Sequence, residues 1–307
     1  MTSAFPPVPL DPPERLVRSV GARGDTAERQ WLAGLPALVR RYAAAWRLVP
    51  ERVLTPGGSR SMLVHVRTPD DTPAALKLVP AGEPAAGEAA ALERWNGLGA
   101  VRLLRAEPAD GVLLLERLRG AVSLRSLAEG KAMLEAAATL QRLWVDPGDG
   151  HRFTTVAAYT GERAARLRAD GAAVPEAAAL VDEALRARER LADSADHEVL
   201  LHGDYHQGQV LAGDRTPWLA VGPRPLAGER AYDLARLVRD RLDTLAASPG
   251  AAATARRRVT RLADSLDVDA DRLRDWSRFR AVASGVAAVE RGDRRGGELL
   301  LEYAGWL

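Results

Sequence analysis

One stretch constrains this chain more than any other: Leu200-Leu201-His202-Gly203-Asp204-Tyr205-His206-Gln207-Gly208-Gln209-Val210-Leu211. Apolar residues lead in and out, and small or polar residues fill the middle. The pattern reads as a strand, a tight loop that cannot be helical, and a second short strand. Asp204 sits at the crest, where a carboxylate can face a cleft. His202 and His206 are four apart, which on a helix would suggest a metal pair. The preceding strand and the flanking glycines argue against a helix, so both read as histidines that shape the loop.

The rest of the chain forms a frame. Residues 1–24 are Pro-rich and poorly patterned, and an extended arm is expected. Asp25-Thr26-Ala27-Glu28 has capping-box spacing. Trp31, Leu35, Leu38, Tyr42 and Trp46 then recur at helical intervals to about residue 48. From Glu51 the period changes: Val53-Leu54 runs into a glycine turn containing Gly57, Gly58 and Ser59, then the alternating Met62 to Val66, a turn at 69–72, and a strand over 74–79. Such a hairpin tip offers backbone N–H groups that can cover phosphates. Lys77 lies inside the third strand. In the following helix (84–96), Glu88, Leu92 and Trp95 share the apolar face, so Glu88 needs a cationic partner and Lys77 is the nearest by topology. Strands are expected at 101–106 and 112–115, and a hinge at 116–120. Helices follow at 124–145, 154–169 and 175–195. A short strand at 217–221 precedes further helices at 230–245, 250–264 and 271–291. The expected parts are an arm and helix (1–49), a β-rich lobe (50–115), the hinge (116–120) and a helical lobe (121–307) carrying the loop 202–209. Trp31, Trp46 and Trp276 read as core, and the clusters 256–258 and 291–295 as solvated basic residues.

Composition narrows the chemistry. The chain has 307 residues, a net charge of +2 and no cysteine. Disulfides, thiolate catalysis and cysteine-type zinc sites are excluded. Near-balanced charge gives no bulk electrostatic case for nucleic acid or a membrane surface. The N-terminus lacks a secretory pattern and the apolar run 281–289 is too short to span a bilayer, so a cytoplasmic protein is expected.

The ordered motifs resemble the aminoglycoside phosphotransferase superfamily, and within it the branch of streptomycin-type aminoglycoside kinases and hydroxyurea-resistance phosphotransferases. The segments carrying the likeness are His202 to Leu211, Trp218-Leu219-Ala220-Val221-Gly222-Pro223-Arg224-Pro225-Leu226-Ala227-Gly228-Glu229, and Ala231-Tyr232-Asp233-Leu234. The resemblance implies an α+β, two-lobed protein-kinase-like fold, with a small antiparallel β lobe and a larger helical lobe. It implies that the turn with Gly57, Gly58 and Ser59 covers ATP phosphates, that Lys77 contacts them and is held by Glu88, and that adenine lies against the backbone from Glu116 to Leu118. Asp204 would take the proton of an acceptor hydroxyl, on an aminoglycoside or another hydroxylated natural product. Asp233 would brace the loop from below.

Two positions depart from that pattern. Where the family has an Asn that binds Mg²⁺, this chain has Gln209; where it has the second metal ligand, an Asp, this chain has Gly222. A third acidic position is Glu229. Glycine has no side chain to coordinate a metal, and Mg²⁺ tolerates poor octahedral geometry badly. Three readings stay open: a working kinase whose metal is held by Gln209, phosphate oxygens, water and a relocated Glu229; a pseudokinase that binds nucleotide or a small molecule; and metal-independent chemistry with Asp204 as base.

Overall fold

The structure, a computed structural model, describes residues 8–23, 26–171, 174–192 and 198–307. The capping box expected at Asp25 lies outside the described residues. The chain divides into two compact units, Met1–Arg119 with Gly213–Pro217, and Gly120–Ala212 with Trp218–Leu307. Among the described residues, no helix is long and apolar enough to cross a membrane.

The first unit is a five-stranded antiparallel sheet backed by helices. Its strands are β1 (Val49–Val53), β2 (Met62–Arg67), β3 (Pro73–Leu78), β4 (Leu103–Glu107) and β5 (Val112–Glu116), in the order β1-β2-β3-β5-β4. Alternation in β2 buries Met62, Val64 and Val66 completely, as a half-covered strand requires. These side chains form one core with Leu35 and Val39 of α2 (Thr26–Ala45) and with Leu16 and Val20 of α1 (Glu14–Arg23). The arm expected to be extended is therefore helical over α1. Two apolar anchors four residues apart suffice once the sheet supplies a surface, and the Pro13 carbonyl accepts the Leu16 and Val17 N–H groups at its start. Helix α3 (Glu83–Trp95) follows β3, begins next to Pro84 and ends at Asn96 in the left-handed conformation. Trp46 is buried at its edge and Trp31 packs against the core.

The second unit is mainly helical. Its small strands are β6 (Arg119–Ser123), β7 (Val199–Leu201), β8 (Val210–Ala212), β9 (Trp218–Ala220) and β10 (Leu226–Gly228), arranged as a β6-β8-β9 sheet and a β7–β10 ladder. Helices α4 (Glu129–Leu143), α5 (Val156–Asp170), α6 (Ala178–Ala192), α7 (Arg230–Val238), α8 (Leu242–Ala246), α9 (Ala251–Leu266), α10 (Ala270–Glu290) and α11 (Arg294–Trp306) surround them. Helix α10 is the hub, burying Trp276, Phe279, Val282 and Val286.

Two expectations are corrected here, and one helix is added. The cluster 291–295 is exposed at a helix end as expected, but α11, which the sequence reading did not include, begins within it; Asp293 caps it by accepting the Gly296 N–H at 3.0 Å. A Cβ on Gly297 would lie 2.5 Å from Val289 Cγ2 and 2.7 Å from the Gly285 carbonyl, so glycine lets α11 approach α10 closely. The helix expected over 230–245 is broken at Arg241, which adopts a left-handed conformation with φ 55°. Arg258 is not solvated: its guanidinium donates to the Val238 and Asp240 carbonyls and pairs with Glu129.

Candidate active site

Within the first unit, the loop 54–61 joins β1 to β2, closed at its base by the Leu54 N–H donating to the Leu63 carbonyl at 2.9 Å. Gly57 has φ +69°, and a Cβ there would lie 2.8 Å from Pro13 Cγ; at Gly58 it would lie 2.9 Å from Ser61 Oγ. The turn is wound too tightly for larger residues at either position. In the middle of the sheet, Lys77 pairs across the ladder with Leu63 and Leu113. Its Nζ donates to both Glu88 carboxylate oxygens at 2.6 Å, and both residues are buried. The helix period thus puts Glu88 where the sequence placed it, against Lys77. Loss of either partner of such a pair strands a buried charge.

The expected hinge is extended chain. Arg117 and Leu118 lie between β5 and β6 and belong to neither. The Glu116 carboxylate is engaged, accepting the Arg102 backbone N–H at 2.7 Å and pairing with Arg215 at 2.8 Å. The Glu116 N–H is spent as well, on the Arg102 carbonyl at 3.0 Å, so a ligand edge has the backbone at Arg117 and Leu118, together with the half-buried Leu118 side chain.

In the second unit, the loop between β7 and β8 is fixed from below. The Asp233 carboxylate, at the start of α7, accepts the His202 and Gly203 N–H groups, both at 2.7 Å. Burial pushes this carboxyl up to about 6, against the pull of those two donors and of Arg280. Arg280 from α10 donates to the Gly203 and Tyr232 carbonyls. Gly203 itself has φ +78°, and a Cβ there would lie 1.9 Å from the Arg224 carbonyl, so no other residue fits. The far side is held by Asp240, which accepts the Gln207 N–H at 2.5 Å. One turn of 3₁₀ helix, Gln207–Gln209, lies inside the loop read as non-helical. It is short enough for the flanking glycines to permit.

Both histidines shape the loop. His202 is fully buried with Nε2 3.1 Å from the Val221 carbonyl, and His206 Nδ1 accepts the Gly208 N–H at 3.1 Å. Burial and the charge of Arg236 push His206 down to about 4, so its ring is neutral near pH 7. The scaffold leaves Asp204 half-buried. Among the described residues its carboxylate accepts no hydrogen bond, with Arg236 Nε at 3.7 Å and Arg224 Nε at 3.9 Å. Burial alone would raise its pKa, but the charges of Arg224, Arg236 and Arg280 outweigh that and hold it below the ordinary carboxylate value. Asp240, Arg236, Arg239 and Arg280 were missed in the sequence, where each reads as one more charge on a helix.

The two positions at which the family resemblance implies metal ligands lie side by side. Gly222 has φ +63°, and a Cβ there would lie 3.2 Å from Gln209 Nε2 and 3.3 Å from Oε1. The longer amide occupies the space that a side chain at 222 would enter. Glu229 cannot substitute: it is clamped by Arg272 at 2.7 Å through both oxygens and by the Trp276 indole at 2.6 Å. Among the described residues no group of three His, Asp or Glu side chains could hold a metal ion. One amide with no paired carboxylate is a poor donor set for Mg²⁺, and these residues do not fit the ion held in that way.

Residues 45–292 match the family model for aminoglycoside/hydroxyurea antibiotic resistance kinases. The chain belongs to that family. It is 32% identical over 298 residues to a streptomycin 6-kinase from Streptomyces glaucescens, covering 91% of each chain. It is 37% identical over 293 residues to a hydroxyurea phosphotransferase from Kitasatospora aureofaciens, covering 92% of this chain and 81% of the relative. The fold is shared with an aminoglycoside phosphotransferase solved as a ternary complex with ADP and hygromycin B, with a TM-score of 0.59, 14% identity, and coverage of 87% and 96%. The family member described here thus has a two-lobed, protein-kinase-like α+β fold.

Asp233→Ala leaves two buried N–H groups without an acceptor, and each such loss costs about 1–3 kcal/mol. A drop in unfolding free energy of roughly 2–5 kcal/mol is expected by denaturant titration; a loss under about 1 kcal/mol would remove Asp233 as the brace. Gly222→Asp alone introduces a left-handed side chain against Gln209 and is expected to cost about 1–2 kcal/mol. Adding Gln209→Asn should recover part of it, so the melting temperatures of the two singles and the double reveal a favourable coupling.

Proposed function

We propose that this chain is a nucleotide-dependent phosphotransferase acting on a small hydroxylated molecule, with Asp204 as the group that orients the acceptor hydroxyl and takes its proton. The observation that carries this reading is the presentation of Asp204. Its loop is tied down at Gly203 by Asp233 and Arg280, and at Gln207 by Asp240, yet its own carboxylate keeps its acceptor capacity. A group placed to receive a substrate proton needs that combination of a rigid frame and a free oxygen.

The Lys77–Glu88 pair supports nucleotide binding in the first unit. The two oxygens of the Glu88 carboxylate fix the ammonium in place, and that cation suits a phosphate oxygen. The turn at Gly57, Gly58 and Ser59 adds backbone N–H groups, and the chain at Arg117 and Leu118 adds backbone for a base edge. Phosphoryl transfer is mostly positioning plus charge neutralisation, and here the positioning residues are present while the metal carboxylate is not. The kinases and phosphotransferases among its relatives support the same class of reaction, with acceptors such as streptomycin or hydroxyurea as first candidates.

One observation favours a binding protein instead. Gln209 packs into part of the space beside Gly222, so its amide intrudes on the implied metal position rather than merely weakening it. The two readings part on turnover.

Asp204→Ala is expected to lower ATP turnover by about 10²–10⁴ while leaving ATP binding intact; unchanged turnover would take Asp204 out of the mechanism. ATP-induced thermal stabilisation is expected to be nearly the same with Mg²⁺ as with EDTA and to be lost in Lys77→Ala. A large Mg-dependent shift would contradict the account of Gln209 and Gly222. Saturable ATP binding with no phosphate release under either condition would favour the binding protein.

A further inference from the structure

Beside Asp204, entirely within the second unit, lies a cavity of about 140 Å³ lined by Tyr159, Arg163, Asp204, Arg224, Tyr232, Arg239, Arg280 and Ser284. Four arginines face one carboxylate there, and a fifth, Arg236, stands 3.7 Å from the same Asp204 oxygens. We propose that this cavity is the acceptor site and takes the carboxylate or phosphate group of an anionic hydroxylated substrate.

The charge imbalance is local and poorly compensated. Among the described residues, Arg163 and Arg239 make no ion pair. Their guanidinium groups reach the Ser284 hydroxyl only at 3.5 and 3.4 Å, Arg163 reaches the Tyr159 hydroxyl at 3.4 Å, and Arg239 reaches the Arg280 carbonyl at 3.5 Å. These contacts lie at the limit of hydrogen bonding. The donors are therefore present, aimed into one cavity, and largely unspent. Arg280 is otherwise engaged, donating to two carbonyls and lying 4.3 Å from the Tyr232 ring centroid, so it contributes charge rather than free N–H groups. The titration of neighbouring groups reports the same field. Burial opposes it, yet the charges of Arg163, Arg280 and Arg224 pull the Tyr159 phenol below its ordinary value. Burial, Arg236 and Arg280 together push Arg239 well below its own.

An oxyanion relieves this arrangement, because planar guanidinium groups donate paired hydrogen bonds to carboxylate or phosphate oxygens. A polycationic acceptor worsens it, since its ammonium or guanidinium groups would meet like charge with a single carboxylate to share. The anion held at Arg163 and Arg239 places the rest of the substrate toward Asp204. The transfer itself rests on the phosphotransferase reading above. The acceptor hydroxyl oxygen forms a bond to the terminal phosphorus of a nucleoside triphosphate, the bond to the bridging oxygen breaks to leave the diphosphate, and the hydroxyl proton passes to Asp204.

Calorimetric titration of the full chain with inorganic phosphate, with gluconate and with streptomycin tests the proposal, each with and without ADP. Saturable binding of phosphate and gluconate, not displaced by ADP and weakened roughly tenfold or more by Arg163→Gln, is the expected result. Arg163→Lys should recover part of that loss, and because Arg163 is only half-buried, it decides the matter if Arg239→Gln does not fold. Absence of saturable anion binding, displacement by ADP (which would make the cavity a nucleotide phosphate site), or tighter binding of streptomycin than of gluconate would overturn it. Anion binding without ATP-dependent phosphorylation of any hydroxy acid would leave the site standing and sink the phosphotransferase reading. ATP-dependent phosphorylation of streptomycin, unaltered in Arg163→Gln, would do the reverse.

Discussion

The loop that presents Asp204 exists because one buried carboxylate accepts two consecutive backbone N–H groups. Asp233 takes the His202 and Gly203 donors from beneath, and those groups have no water to turn to at that depth. Everything above depends on this. Gly203 then turns with positive φ, its carbonyl is caught by Arg280, and the chain passes close to the Arg224 carbonyl. Asp240 repeats the device four residues on, at Gln207. Two carboxylates from the α7 region thus hold the two ends of a loop that contains no regular strand or α-helix of its own. The catalytic candidate is left as the one acid in the loop region whose acceptor capacity is unspent.

The electrostatics of the same region run opposite to what the loss of a metal ligand suggests. Gly222 brings no charge to the site, and Glu229 is fully engaged by Arg272 and Trp276. Positive charge is nonetheless plentiful. Arg224 follows Gly222 by two residues, and Arg236, Arg239 and Arg280 come from the helices behind. Asp204 is kept anionic by this field even though burial alone would protonate it more readily.

Much of the fold was legible because long apolar periods survive any context. The strand alternation of 62–66, the helix carrying Glu88, and the strand–loop–strand around Asp204 appear where hydrophobic spacing puts them, and the Lys77–Glu88 pair follows from one residue's place on a helix face. Helix α1 was not legible: Leu16 and Val20 are a weak signal until a sheet is present to cover them. Nor was α11, whose glycines lower helix propensity but serve close packing on α10. The break at Arg241 comes from tertiary hydrogen bonds to the carbonyls of 124, 125 and 127, which no local pattern encodes. The arginine cluster was hidden for a related reason. Arg163, Arg224, Arg236, Arg239 and Arg280 are spread over more than a hundred residues, each in a helix or turn where an exposed cation is ordinary, and only packing brings them together.

Gln209 and Gly222 are best understood as one change rather than two. Relative to the Asn and Asp that the family resemblance implies, the pair gains one methylene and loses a whole carboxymethyl side chain, so the longer amide recovers only part of the volume, with its atoms 3.2–3.3 Å from where a Cβ on residue 222 would be. Nor is the charge recovered: one implied carboxylate is absent and nothing anionic fills its place. The Gln209 amide takes up part of the space beside Gly222, while Gln207 Nε2, two residues earlier in the same 3₁₀ turn, is buried without a hydrogen-bond partner among the described residues. The charged side chains around Asp204 are guanidinium groups, with Arg236 at 3.7 Å, Arg224 at 3.9 Å, and Arg163, Arg239 and Arg280 lining the same cavity. Such a site favours ligands that bring their own negative charge.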